Sequence, residues 1–546
     1  MSEYTAISFA PVQGFIEKSR KLRDLFGASL ILSYLSSKLV EKAECLGFEV
    51  ISPGLPNVKE GMPNRILVRG DKVFDRDTVR KTLLDEWQKV LEVCRTWVEQ
   101  NVPAEKYHWS QTDEQKGRQK GEWERWGSYT WEVFWGTGKK PDEAMRDLER
   151  RKLKRDWTAI NWIGESSSLT GTDAIAWHQL GKPLSKGDQP GRSLTPKETQ
   201  EQKDFYQRLS QALETSIDGQ FEGKFLDSSE KLSIPELVKR LVTRYDDIGE
   251  HLAKEFYIKS FSEMVRLPQP NQPGHWTGWF MGDGDEVGKK LKELVKDSND
   301  TKPLRDFSDK MRKWGIDFKH DFPRELGRVV YAGGDDFLGV IYSKNPKSPI
   351  STSVALKWLM GLNKQWNQHG QDITVSVGFV WAGHSVPQRD ILQHCREAQK
   401  RAKSLGRKRV TIRVVFNSGQ SVQWTCPWDY LDILTKYRDR DGKTYPEWEC
   451  RGQDSKYLPN WTHIYNDWAE LKARHAIHLV ETDKLKIDDY LAINFLNYYF
   501  DNAAENISKN PPRERWNYIA GDNNPLTVVQ WIDDLIQVGW QLCSNT

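Results

Sequence analysis

The sequence predicts an α+β fold, and three observations carry that reading. Short strands with alternating or continuous apolar residues are interleaved with long stretches of helical periodicity. The β-α-β order occurs twice, at the N-terminus and again after a proline-rich break. Everything beyond Trp428 reads as mostly helical.

Tyr4 to Phe9 alternates as a strand. From Gln13 to Leu46, Phe15, Leu22, Leu25, Leu32, Leu35, Leu39, Ala43 and Leu46 recur at helical spacing, which predicts one long helix. Phe48 to Ser52 and Asn64 to Val68 are strands, Arg76 to Gln100 a helix, and Tyr129 to Gly136 a further strand. Residues 97–177 hold nine tryptophans, which we assign to the core and to subunit interfaces rather than to stacking on RNA bases, because aromatic rings supply large buried area. Lys182 to Gln202 is polar and reads as a loop or insertion, followed by a helix from Ile234 to Phe256. Pro268 to Pro273 ends that helix and opens a new module. There Thr277 to Met281 is a strand, Glu286 to Val295 and Leu304 to His320 are helices, and Arg328 to Ala332 with Phe337 to Tyr342 form a hairpin. Val354 to Gln365 (helix), Ile373 to Trp381 (strand), Arg389 to Leu405 (helix) and Val410 to Phe416 (strand) complete a sheet expected to carry its helices on one face. Four domains follow: residues 1–181, 182–270, 271–420 and 421–546.

The balance of 80 basic against 77 acidic residues excludes a strongly basic nucleic-acid coat and an acidic disordered tail. The apolar run Leu25 to Ser37 is closed by Asp24 and Lys38, short of the ~20 residues a membrane helix needs. Met-Ser-Glu-Tyr has neither a basic n-region nor an apolar h-region, so no signal peptide is expected. Six cysteines (45, 94, 395, 426, 450 and 543) show no C-x-x-C spacing, which disfavours a disulfide framework or zinc site and suits a reducing cytoplasm. Lys18, Arg20, Lys21 and Arg23 are expected to form a solvated helix face, with Asp24 pairing locally.

The chemistry lies in the third domain. One apolar strand runs into Met281-Gly-Asp-Gly-Asp-Glu-Val-Gly, and the hairpin tip reads Tyr331-Ala-Gly-Gly-Asp-Asp-Phe-Leu-Gly. If strand end and tip lie side by side, Asp283, Asp285, Asp335 and Asp336 converge. Carboxylates so gathered repel one another unless hard divalent cations, Mg²⁺ or Mn²⁺, neutralise them. Two such ions suit attack of a 3′-hydroxyl on a nucleoside triphosphate. The basic run Lys400, Arg401, Lys403, Arg407, Lys408 and Arg409 is placed to meet phosphates. No P-loop is present.

These motifs, with Pro11-Val-Gln-Gly-Phe-Ile-Glu-Lys-Ser-Arg-Lys-Leu-Arg-Asp-Leu-Phe-Gly-Ala-Ser, Pro63-Asn-Arg-Ile and Ser376-Val-Gly through Ala402-Lys-Ser-Leu-Gly-Arg, resemble the large polymerase-cyclase subunit of CRISPR type III effectors in its Cmr form. The resemblance covers residues 1–70 and 275–420. It implies two ferredoxin-like palm domains related to nucleotide cyclases, with a helical linker and a helical C-terminal domain. It further implies that ATP, bound at the interface between the palms, is converted to cyclic oligoadenylate when the complex captures target RNA. Asp335 and Asp336 would be catalytic, and Asp283, Asp285, Asp335 and Asp336 would hold Mg²⁺ or Mn²⁺, with Asp283 and Asp335 the main ligands and Asp285 and Asp336 in support. Gly284, Gly333, Gly334, Ser376 and Lys403 would contact the nucleotide. The partners implied are the other subunits of the ribonucleoprotein, guide RNA and target RNA.

Two departures shape the expectation. The palm begins at residue 4, so no HD nuclease domain is expected, and His320-Asp321 is a chance dipeptide. No cysteine falls between Cys94 and Cys395, so the zinc cluster of many relatives is not expected, and Ser166 to Thr172 stands as its degenerate remnant. A catalytically silent scaffold and a cyclase with a different nucleotide product are the alternatives.

Overall fold

In a computed structural model of the chain, the alternating N-terminal residues form β1 (Glu3–Ala10), an interior strand of a four-stranded sheet. The structure describes residues 3–55, 57–58, 61–110, 121–154, 165–182, 192–215, 221–222, 225–257, 261–268, 270, 272–294, 301–345, 347–440, 460–480, 485–500, 512–522 and 524–543. Cys450, Trp157, Trp162 and residues 183–191 of the polar stretch lie outside the described residues. The chain divides into two units. The first comprises residues 1–264, 288–316 and 330–334, the second residues 265–287, 317–329 and 335–546.

After β1 the first unit runs through α1 (Val12–Glu17), α2 (Leu22–Cys45), β2 (Glu49–Ser52), β3 (Arg65–Gly70), α3 (Arg76–Asn101), α4 (Glu122–Tyr129), β4 (Glu132–Gly138) and α5 (Pro141–Lys152). Then come α6 (Pro196–Thr215), β5 (Phe221–Glu222), α7 (Ile234–Leu241) and β6 (Phe261–Ser262). The antiparallel order β2-β3-β1-β4, connected β-α-β-β-α-β, is ferredoxin-like.

Two expected helices are interrupted. The Asp24 carboxylate accepts the N–H groups of Arg20 and Lys21, each at 3.0 Å, and so caps α2 and separates it from α1. The helix expected to reach Phe256 stops at Leu241, and tight turns follow at Gly249–His251 and Lys254–Phe256.

Of the basic residues before and at the start of α2, Arg20 is exposed as expected, but each of the four is paired with an acid. Arg23 is fully buried, pairs with Glu263 at 3.2 Å and lies over the rings of Phe225 and Phe261. Lys18 pairs with Asp173, and Arg20 and Lys21 with Glu230. Asp24 is also held by the buried Arg240, 216 residues away, at 2.8 and 3.0 Å. The tryptophans pack as expected: Trp109 and Trp123 are fully buried, and Trp131 sits against Phe9 and Phe15. In the Ser166–Thr172 turn, the Ser167 and Thr170 hydroxyls donate to the buried Glu236 carboxylate at 3.2 and 2.8 Å.

The second sheet is assembled from β7 (Thr277–Gly284), β8 (Gly327–Ala332), β9 (Asp336–Ile341), β10 (Val375–Ala382), β11 (Arg409–Val415) and β12 (Ser421–Pro427). Between them run α8 (Val287–Leu294), α9 (Lys302–Asp321), α10 (Thr352–Trp366) and α11 (Gln388–Ser404). The order is β12-β11-β10-β7-β9-β8. Its β8-β9-β7-β10 part repeats the order of the first sheet, so the expectation of two ferredoxin-like domains holds. Strand β12 went unread in the sequence.

The expectation of helices on one face is corrected. Phe280 packs against Phe318 of α9 and Trp358 of α10, which places those helices on its face. Helix α11 returns the chain from β10 to the parallel strand β11 and lies on the opposite face. There it presses on Gly378, where a Cβ would stand 2.3 Å from the Cys395 carbonyl. The chain ends in α12 (Trp461–Ala473), α13 (Leu485–Tyr499), α14 (Pro512–Ala520) and α15 (Pro525–Cys543). Trp531 of α15 donates to the Thr425 carbonyl of β12 at 2.8 Å, which joins these helices to the sheet. Among the described residues no helix is long and apolar enough to cross a membrane.

Candidate active site

Strand pairing fixes the site. In the β7–β9 ladder Asp283 stands directly opposite Asp336, so both side chains leave the same face. Register with β10 puts Ser376 on the other side of Asp283. This is the face covered by α11, because Gly378 and Met281 share it two residues further along. Helix α11 ends with Lys403 paired to Asp283. Burial, and then the neighbouring Arg407, push the Lys403 ammonium below its usual range.

The two acid-bearing turns touch through the backbone, the Gly284 N–H donating to the Asp335 carbonyl at 2.7 Å. A Cβ at residue 284 would come within 2.8 Å of Val287 and 3.3 Å of Asp335, so Gly284 serves this close approach. Gly334 has φ +139°, a conformation that L side chains rarely adopt. The buried Arg312 of α9 donates to the carbonyls of Ala332 at 3.3 Å and Gly333 at 3.1 Å, holding the turn. Asp335 and Asp336 are half-buried, and Gly333 and Gly334 buried.

The four carboxylates do not all converge. Asp285 is only 5% exposed. Its Oδ1 accepts the Ser376 hydroxyl at 2.6 Å, and its Oδ2 accepts the Thr374 hydroxyl at 2.7 Å and the Lys408 N–H at 3.0 Å. Ser376 is itself fully buried, its hydroxyl spent on Asp285 rather than turned toward a nucleotide. Among the described residues no three His, Cys, Asp or Glu side chains form a ready metal cage. That donor set still fits Mg²⁺, which is commonly bound by one or two carboxylates completed by substrate phosphates and water.

The basic run divides in the same way. Arg409 is buried and donates to the carbonyls of Arg407, Tyr518 and Ile519. The Lys408 ammonium pairs with Asp429 at 2.8 Å, and Arg401 donates to Thr425. Lys403 and Arg407 lie toward the acids, Arg407 being 4.0 Å from Glu286. His320 and Asp321 are an exposed neighbouring pair at the end of α9. Arg312, Thr374 and the Lys408 main chain went unrecognised in the sequence, which gives no local signal for them. At the equivalent point of the first sheet, Ser8 stands opposite Arg65, so the acid pair has no counterpart there.

Residues 277–411 match the family described as Cas10/Cmr2, second palm domain, and residues 4–92 match the N-terminal domain of CRISPR-associated protein Cmr2. No curated protein matches the sequence. A solved structure of type III-B Cmr-beta in the apo state is similar over 98% of this chain and 82% of that chain, at 11% identity and TM-score 0.55. Csm1–Csm4 cassettes solved with one ATP and with cA4 are similar over 100% and 99% of this chain and 70% of those chains. Their identities are 14% and 15%, each with TM-score 0.42. Over residues 4–92 and 277–411, and in the repeated sheet order, the chain is thus similar to the Cas10/Cmr2 large subunits of type III CRISPR effectors.

Proposed function

We propose that this subunit makes cyclic oligoadenylate from ATP within a cytoplasmic, RNA-guided type III complex, and that captured target RNA switches synthesis on. The observation that carries the reading is the pair Asp283 and Asp336, opposite each other on one face, with Lys403 beside them. Asp283 and Asp336, supported by Asp335, would hold Mg²⁺. When bound, Mg²⁺ lowers the charge on the phosphates and on the attacking and departing oxygens. Lys403 exchanges its carboxylate partner for a phosphate oxygen as ATP enters, and Arg407 adds a second positive charge. The Gly333–Gly334 turn presents main chain rather than side chain to the ligand. The 3′-oxygen of one ATP attacks the α-phosphorus of the next, the bond to pyrophosphate breaks, and the hydroxyl proton passes to water. A final attack within the oligomer closes the ring.

The test is product identification by mass spectrometry after the reconstituted complex is incubated with ATP, Mg²⁺ and matching or mismatched target RNA. Cyclic oligoadenylate with the matching RNA alone is the expected result. Absence of any nucleotide product would favour a silent scaffold, and a mixed product would favour a cyclase of different acceptor.

A further inference from the structure

The most heavily bonded acid of the DGD motif is the one that faces away from the ligand. Asp285 lies one residue past the end of β7, and its N–H donates to the Thr374 carbonyl at 2.8 Å. Its carboxylate accepts three further hydrogen bonds, two from the segment that starts β10 and one from the loop after α11. A carboxylate so buried and so fully bonded has little left to offer a cation.

What it holds is a strained segment. Gly406, Arg407 and Lys408 have φ +117°, +63° and +51°, and Glu286, on the facing turn, has φ +56°. A run of left-handed residues that includes two with side chains persists only where its surroundings over-determine it. Lys408 is pinned on three sides. Its N–H bonds Asp285, its carbonyl accepts the Trp428 N–H at 3.3 Å, and its ammonium pairs with Asp429. Asp429 in turn accepts the Tyr518 hydroxyl at 2.8 Å. The Asp285 bond ties the main chain of this segment to the turn that follows the acid-bearing strand, where Arg407 also lies 4.0 Å from Glu286. The segment carries Arg407 and adjoins the last turn of α11, which carries Lys403.

We propose that Asp285 is a positioning residue and not a metal ligand: it latches the left-handed loop Gly406–Lys408 to the end of β7 and so sets Arg407 and Lys403 at the height where a nucleoside triphosphate's phosphates arrive. The proposal rests on the function proposed above, and the test separates the two. In the reconstituted complex, Asp285→Ala removes the acceptor, whereas Asp285→Asn keeps one oxygen for the Lys408 N–H and can donate to the serine or threonine oxygen. Asp285→Ala is expected to raise the KM for ATP about tenfold, since it leaves buried donors unsatisfied. It should also speed amide hydrogen exchange across residues 404–409. Asp285→Asn should restore both to within about threefold of wild type. The Mg²⁺ concentration for half-maximal rate should stay unchanged in both variants.

Thr374→Val with Ser376→Ala removes two donors while keeping the charge, and should raise the KM in the same direction, which covers the case that Asp285→Ala does not fold. Asp285→Asn as damaging as Asp285→Ala, with a raised Mg²⁺ requirement, would make Asp285 a ligand and overturn the proposal. So would unchanged exchange across 404–409 in Asp285→Ala. A wild-type complex that neither binds ATP nor makes product would remove the proposed function and the positioning role together, with the exchange data still deciding whether the latch exists.

Discussion

Asp335→Ala combined with Asp336→Ala is expected to lower cyclic oligoadenylate synthesis by about a thousandfold or more, while the subunit still enters its complex. Asp336 is the partner of Asp283 across the β7–β9 ladder, so its loss leaves a single carboxylate facing the ligand. Neutralising one of two facing acids removes the site's reason for attracting a divalent cation. Asp335 and Asp336 are half-buried, and the contact between the two turns runs from the Gly284 N–H to the Asp335 carbonyl, which alanine retains. Product analysis and size-exclusion chromatography of the reconstituted complex check the two halves of the prediction. Retained synthesis would sink the site assignment.

Arg240→Met is expected to destabilise the first unit by about 3–5 kcal/mol, read from its denaturant midpoint. Arg240 is fully buried and donates to Asp24 at 2.8 and 3.0 Å and to Glu230 at 2.8 Å. Removing it strands two carboxylates in a low-dielectric interior, and an uncompensated buried charge costs far more than the intact pair contributes. Burial alone would raise the Asp24 carboxyl, but Arg240 beside it overrides this and holds it at about 2, below its ordinary 3.8. Because the folded value is depressed, this stabilisation is present above about pH 4 and is lost as pH falls from there toward 2. The wild-type unit should therefore lose stability steeply over that window. In Arg240→Met the two acids take up protons at higher pH, and the loss over the same window should be shallower.

Much of the fold was legible in the sequence because the signals were local. The alternation of Tyr4 to Phe9 and the apolar strands before each acidic turn gave the strands, and the short hairpin fixed which turn meets which. Where two elements meet over long separations, local pattern was insufficient. Arg23 and Lys21 look like a solvated face until Glu263 and Glu230, more than 200 residues away, are placed against them. The helix expected to reach Phe256 failed for a different reason. Tight turns keep an apolar residue every three or four positions, so Tyr245, Ile248 and Leu252 imitate a helix.

The acidic motifs were equally legible as residues but not as roles. Nothing within Asp283-Gly-Asp285 tells which carboxylate meets Lys403 and which is buried under three hydrogen bonds. That is decided by Thr374, Ser376 and Lys408, about 90 to 120 residues further on, and by the left-handed turn of the loop after α11. Likewise, five of the six basic residues in one run were sorted by their neighbours. Asp429, Thr425 and the carbonyls of α14 hold three of them, while Lys403 and Arg407 remain beside the acids.

On the function proposed above, Asp283 and Asp336 together hold a metal–triphosphate. Binding of Mn²⁺ to the reconstituted complex, followed by electron paramagnetic resonance with and without a non-hydrolysable ATP analogue, tests it most directly. Mn²⁺ binding is expected to strengthen with the nucleotide, to be lost in Asp283→Asn and in Asp336→Asn, and to survive in Asp285→Asn. Mn²⁺ binding that persists in both of the first two variants, or that disappears in the third, would contradict it.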